Sequence, residues 1–217
     1  MAEAPRAAVL TISTSRAAGS ESEDQSGEGL AAFAASIGAE VVARDLIGCL
    51  LVHDLEGERL VGRIVEVEAY ESRGDAASHS ARGPTPRNAS MFGPPGHAYV
   101  YLSYGVHCCF NVVTADAGVG EAVLVRALEP LRGLESMRSR RGAVADVDLC
   151  RGPGRLSRAL GFELEHDGLD LVRGPIGIHV PTRMSRPRVD RGPRIGITKS
   201  VELPWRFVER GSRHASR

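Results

Sequence analysis

Residues 58–70, ERLVGRIVEVEAY, alternate apolar and polar positions over their second half, the two-residue period of a strand. The run predicts a strand pair or one bent strand. Glu66, Glu68 and Tyr70 recur at every second residue, so strand geometry puts all three on one face. Neighbouring carboxylates repel, and a half-buried strand rarely carries two of them. Their presence calls for a chemical reason.

The same pattern predicts a strand over residues 6–14 and another over EAVLVRALEP, ending at Pro130. HAYVYLSYGVHCCFNVV, residues 97–113, reads as a hairpin turning near Ser103, Tyr104 and Gly105. LAAFAASIG reads as a short helix with Ser26 as its cap and Gly38 as its stop. RGLESMRSRRG and the middle of GPGRLSRALGF are also helical. AEVV, residues 39–42, either begins a strand or leads into ARDLIGCLLVH. Residues 71–97 form a loop rich in Gly, Pro, Asn and Ser, long enough to suggest function. Within it GPPG reads as a rigid turn that aims the hairpin. Beyond about residue 167 short strands are broken by Gly and Pro. The pattern as a whole is mixed α and β.

A chain of 217 residues with 42% hydrophobic content supports one sizeable domain, or a domain with a small extra piece. It has no apolar run of membrane-spanning length. The opening MAEAPRAAVL lacks the pattern of a secretion signal, so a cytoplasmic protein is expected. Cys49, Cys108, Cys109 and Cys150 show no CxxC spacing, and the histidines show no paired-ligand spacing. Neither a metal nor another cofactor is expected.

A net charge of zero argues against a nucleic-acid partner, but its distribution reverses that. Residues 1–60 hold 4 Arg against 10 acids, whereas residues 181–217 hold 9 Arg and Lys199 against 3 acids. The basic tract reads either as a phosphate-facing surface or as a solvated tail.

From about Val42 to Arg210 the chain resembles the alkyladenine (3-methyladenine) DNA glycosylase family. The matching pieces are ARDLIGCLLV, GRIVEVEAY, DAASHS, TPRN, MFGPPGHAYVYLSYGVHCCFNVV, VLVRALEP, LCRGPGRL and PRIGI, in the family's order. Residues 6–44 instead resemble the opening strand, loop and helix of molybdopterin-adenylylating enzymes. That fold's later substrate-holding segments have no counterpart here. Residues 1–40 are therefore read as a fragment without its own activity, and residues 41–212 as the glycosylase-like domain. The resemblance implies an α+β fold: a curved, mainly antiparallel sheet with peripheral helices and a protruding hairpin, preceded by a short βα fragment.

The resemblance also implies roles. Glu68 activates the water that attacks the sugar, and Arg126, on an otherwise apolar strand, helps hold that water. Tyr70, His79 and Tyr101 sandwich a base turned out of the duplex. Cys109 and Asn111, alternating on the second hairpin strand, line the pocket, and Asn111 excludes normal guanine. Cys109 is equally a small core filler. Tyr104 at the hairpin tip is the wedge that fills the vacated stack. His107 touches the minor groove, and Arg87 and Asn88 contact backbone phosphates. Glu66 either shares the pocket or accepts hydrogen bonds from the long loop. The partner is double-stranded DNA carrying alkylated or deaminated purines, bound by a monomer.

Strand-cutting glycosylases attack through an amine. The only lysine, Lys199, lies outside the matched catalytic segments, so water is the expected nucleophile and an abasic site the product. A molybdenum-cofactor protein and a non-catalytic DNA-binding relic are the competing readings. The first needs the missing remainder of its fold, and the second predicts loss of Glu68 or Arg126.

Overall fold

The computed structural model describes residues 38–181 and 187–216. The helix read over residues 30–38 and the strand over 6–14 lie outside the described residues, apart from Gly38 itself. The segment AEVVARDL is a helix, α1 (Ala39–Leu46), and not the start of a strand. It buries Ala39, Ala43 and Leu46 on one face. Glu40 in its first turn and Arg44 in its last complement the helix dipole.

Strands β1 (Leu50–Leu55), β2 (Glu58–Tyr70), β3 (Ala98–Ser103), β4 (His107–Val113), β5 (Ala122–Arg132) and β6 (Ile176–His179) form a sheet in the order β3-β4-β5-β2-β1-β6. Strands β7 (Val189–Gly192) and β8 (Arg206–Glu209) pair with each other, and β8 joins β2. Every one of these pairings is antiparallel. ERLVGRIVEVEAY is thus one long strand, not two. Pairing with β1 occupies its first half and pairing with β8 its second. With helices α2 (Leu134–Arg141) and α3 (Pro153–Leu160), this is an α+β fold.

β5 continues two residues past the expected stop at Pro130, to Arg132. Proline lacks the ladder donor, and the register of β2 against β5 shifts between Val61 and Gly62, the residue opposite Pro130. A Cβ at Gly62 would lie 2.8 Å from the Leu128 side chain, so glycine is needed there. The core fills the space between the sheet and the helices, with Ala43, Leu46, Ile64, Phe110, Leu128, Leu156 and Phe207 among its buried members. α3 begins with Pro153 at its first turn and ends on Gly161 in the left-handed conformation, a common start and stop pair.

The loop over 71–97 carries two 3-10 turns, His79–Arg82 and Ala89–Phe92. The hairpin turns where expected. Val106 donates its N–H to the Ser103 carbonyl at 3.1 Å, and Tyr104 and Gly105 have φ of 51° and 71°. Left-handed central residues match the right-handed twist of the flanking strands. Glycine accepts that conformation freely, whereas a bulky tyrosine is strained in it.

Candidate active site

The one-face expectation for Glu66, Glu68 and Tyr70 holds, and Arg126 explains the carboxylate pair. Its Nε donates to Glu66 Oε1 at 3.2 Å and its Nη1 to Glu68 Oε2 at 3.0 Å. Both carboxylates are fully buried. Burial disfavours the charged guanidinium, but the charges of Glu68 and Glu66 outweigh it and raise the Arg126 pKa.

The two carboxylates differ in how fully they are occupied. An ionised carboxylate offers about four acceptor sites. Glu66 receives four donors, three on Oε1 (Arg126 Nε, Arg206 Nε at 2.7 Å and Ser216 Oγ at 2.7 Å) and one on Oε2 (the Ser216 N–H at 2.5 Å). Its structural partners therefore come from β8 and residue 216, not from the 71–97 loop. Glu68 fills three: Arg126 Nη1, the Tyr70 hydroxyl at 2.9 Å and the Ile195 N–H at 2.7 Å. Ile195 is the sole donor on Oε1 in that set. The donors crowd Oε1 of Glu66, whereas Oε2 of Glu66 and Oε1 of Glu68 each hold one.

Arg126 and Tyr70 also border a cavity of about 690 Å³. His79, Arg87, Tyr101, Tyr104, Cys109 and Asn111 line it as well, so the fold gathers most of the expected residues at one place. Glu68 lies just behind this lining, joined to it through Tyr70, Arg126 and Ile195. Burial, then the Glu68 charge, raises the Tyr70 pKa, so its hydroxyl stays a donor at neutral pH. Burial, then Arg87, lowers the His79 pKa, which keeps the imidazole neutral. A neutral ring does not repel a cationic base.

Two of the three expected stacking residues touch each other. His79 and Tyr101 meet edge to face, with ring centroids 4.6 Å apart. A base between two faces needs about 7 Å, twice a contact of ~3.5 Å. These two rings form a cluster with Tyr99, whose hydroxyl lies 2.8 Å from His79 Nδ1. The Arg194 guanidinium lies 4.5 Å from the centre of the Tyr70 ring. The Asn111 amide donates to the Tyr99 carbonyl at 2.9 Å, which fixes its orientation.

Tyr104 is 92% exposed at the hairpin tip beside the cavity. His107 lies outside the lining and packs where a Cβ on Gly154 would reach it at 2.8 Å. Asn88 is buried and held within the loop. Its Oδ1 accepts from Thr85 N–H and Oγ1, and its Nδ2 donates to the His79 and Gly83 carbonyls. The structure gives Asn88 a loop-shaping position away from the cavity lining.

Several residues went unread in the sequence. Tyr99 and Met91 line the cavity, as does the segment 195–199. Lys199, set apart in the sequence reading, therefore borders the cavity. Arg194 forms a fully buried bidentate pair with Asp75, at 2.6 and 2.7 Å, and underlies Tyr70. PRIGI carried the signal for Arg194. A backbone donor such as Ile195 leaves none. Among the described residues no cluster of His, Cys, Asp and Glu could hold a metal ion.

The sequence model of methylpurine-DNA glycosylase aligns with residues 32–213. The chain belongs to the methylpurine-DNA glycosylase family. It is 52% identical over 179 residues to a protein of Methanoculleus marisnigri, covering 81% of this chain and 92% of the relative. It is 53% identical over 176 residues to one of Rhodopseudomonas palustris, covering 81% and 84%. A protein of Granulibacter bethesdensis is 54% identical over 170 residues, covering 77% and 78%. All three relatives are named as candidate 3-methyladenine DNA glycosylases. The chain is thus a DNA glycosylase, a hydrolase of DNA repair whose substrate is DNA. The match begins at residue 32, inside the segment read as a foreign fragment. No helix among the described residues is long and apolar enough to cross a membrane.

Proposed function

We propose that this glycosylase takes an alkylated purine, 3-methyladenine first among them, out of duplex DNA into the cavity. There it hydrolyses the bond to the sugar with water. The observation that carries the reading is that Glu68, with one donor on Oε1, has all its partners, Tyr70, Arg126 and Ile195, in the lining of a cavity walled by aromatic rings. Glu68 takes a proton from the water as its oxygen bonds to C1′. The C1′–N bond breaks, and its electron pair leaves with the base. A 3- or 7-alkylated purine already carries positive charge and departs neutral. Hypoxanthine and ethenoadenine must gain a proton or hydrogen bond on leaving, so they are the slower substrates. Arg126 balances the buried charge beside Glu68, and Tyr70 grips the base. Each stacked base contributes about 1–3 kcal/mol, comparable to the few kcal/mol that flipping costs.

Lys199 at the cavity favours a second reading, attack by its amine and strand cleavage. Incubation of lesion duplexes with the enzyme and borohydride separates the two. The water reading expects free base, an intact strand until alkali is added, and no covalent adduct. An adduct mapping to Lys199 would replace it with amine attack.

A further inference from the structure

We propose that Glu66 is a positioning residue, which fixes Arg126 against Glu68 and is itself fixed by Ser216. The inference deepens the reading of Glu68 as the base and rests on it.

An isolated buried carboxylate is costly, and Glu66 is relieved by two cations and two hydrogen bonds from one residue. Arg126 and Arg206 together balance Glu66 and Glu68, so the cluster is neutral as a group. Arg126 places two donors of one rigid planar group on the two carboxylates. Such a group has few orientations that serve both at once. Without Glu66, Nε must seek another acceptor, and rotation of the group draws Nη1 off Glu68.

Ser216 reaches Glu66 from 150 positions away in sequence, through both its N–H and its hydroxyl. The segment is held on its other side as well. Arg151 Nε donates to the Ala215 carbonyl at 2.7 Å. Residues 215–216 therefore form part of the floor behind Arg126, and they hold the guanidinium without touching the cavity that takes the base. Glu66 stands outside the cavity lining and acts on the reaction only through Arg126.

Single-turnover base release, affinity for the lesion duplex and thermal midpoint, measured on Glu66→Gln and on a chain ending at Ala215, test this. The expected result is release slowed by up to roughly 10²-fold in Glu66→Gln, with a smaller loss in the shortened chain. Affinity and midpoint stay near the wild-type values in at least one of the two. Unchanged release in both variants would overturn the proposal. So would parallel losses of rate, affinity and midpoint in both, which mark a purely structural role. Glu68→Gln run alongside separates the causes. If it is inactive while Glu66→Gln is fully active, only the positioning role falls. If Glu68→Gln is itself active, the assignment of the base falls with it.

Discussion

Two glutamates on one strand face carry the account at the residue scale. Their spacing was legible in the sequence, because period two places side chains without ambiguity. Which of them has its partners in the cavity lining was not, because Ile195, Arg206 and Ser216 arrive from distant segments. A buried histidine gives a separate prediction. His53 is 1% exposed, and its Nδ1 lies 2.8 Å from the Leu160 carbonyl. Burial lowers its pKa from 6.5, helped by His166 and Arg140, while the carbonyl and Asp54 oppose. The unfolded chain then takes up this proton before the folded one. The His53 contribution to stability is present above about pH 6.5 and is lost as pH falls below it. Thermal midpoints from about pH 7 to about pH 5.5 should therefore fall more steeply in the wild type than in His53→Gln. Equal slopes would remove His53 from the acid response.

Elements decide what each residue can reach. The hairpin was readable from its alternation and from Tyr104-Gly105, since few sequences suit a left-handed turn. The helix over 39–46 was not, because its apolar positions are also those of a short strand and only packing on the core separates the two. The hairpin holds a strained, 92% exposed tyrosine over the cavity mouth. Tyr104→Ser should leave the thermal midpoint near its wild-type value and weaken capture of the flipped base. A fluorescent base analogue reports that capture directly. Wild-type flipping amplitude and release rate in this variant would remove Tyr104 as the wedge.

For the whole molecule, charge by sequence window needs the fold beside it. Arg191, Arg194, Arg206 and Arg210 of the basic tract are engaged in ion pairs with Glu40, Asp75, Glu66 and Asp190. Pairing in space offsets part of an excess that looks wholly exposed in one dimension. The arginines that crowd each other lie elsewhere. Arg141, Arg151 and Arg155 line a second cavity of about 530 Å³ on which Arg126 also borders. Burial, then Arg155 and Arg158, lower the Arg141 pKa, while Asp148 in the same lining opposes them. If this cavity meets the DNA backbone, Arg155→Ala should flatten the salt dependence of duplex affinity by about one phosphate contact, with a slope change near 0.9. An unchanged slope would place the backbone elsewhere. The family match from residue 32 frames the N-terminal question. We expect removal of residues 1–27 to spare base release, and loss of release in a folded product would show that the segment serves the glycosylase domain.

The central claim is that Glu68, buried behind the cavity with its partners in the lining, activates the water that frees the base. The direct measurement is base release from a duplex with one 3-alkylated adenine, read as strand breakage with and without alkali, for the wild type and Glu68→Gln. The account predicts breakage by the wild type only after alkali, and none by Glu68→Gln although it still binds the lesion duplex. Alkali-independent breakage, or wild-type release by Glu68→Gln, would contradict it.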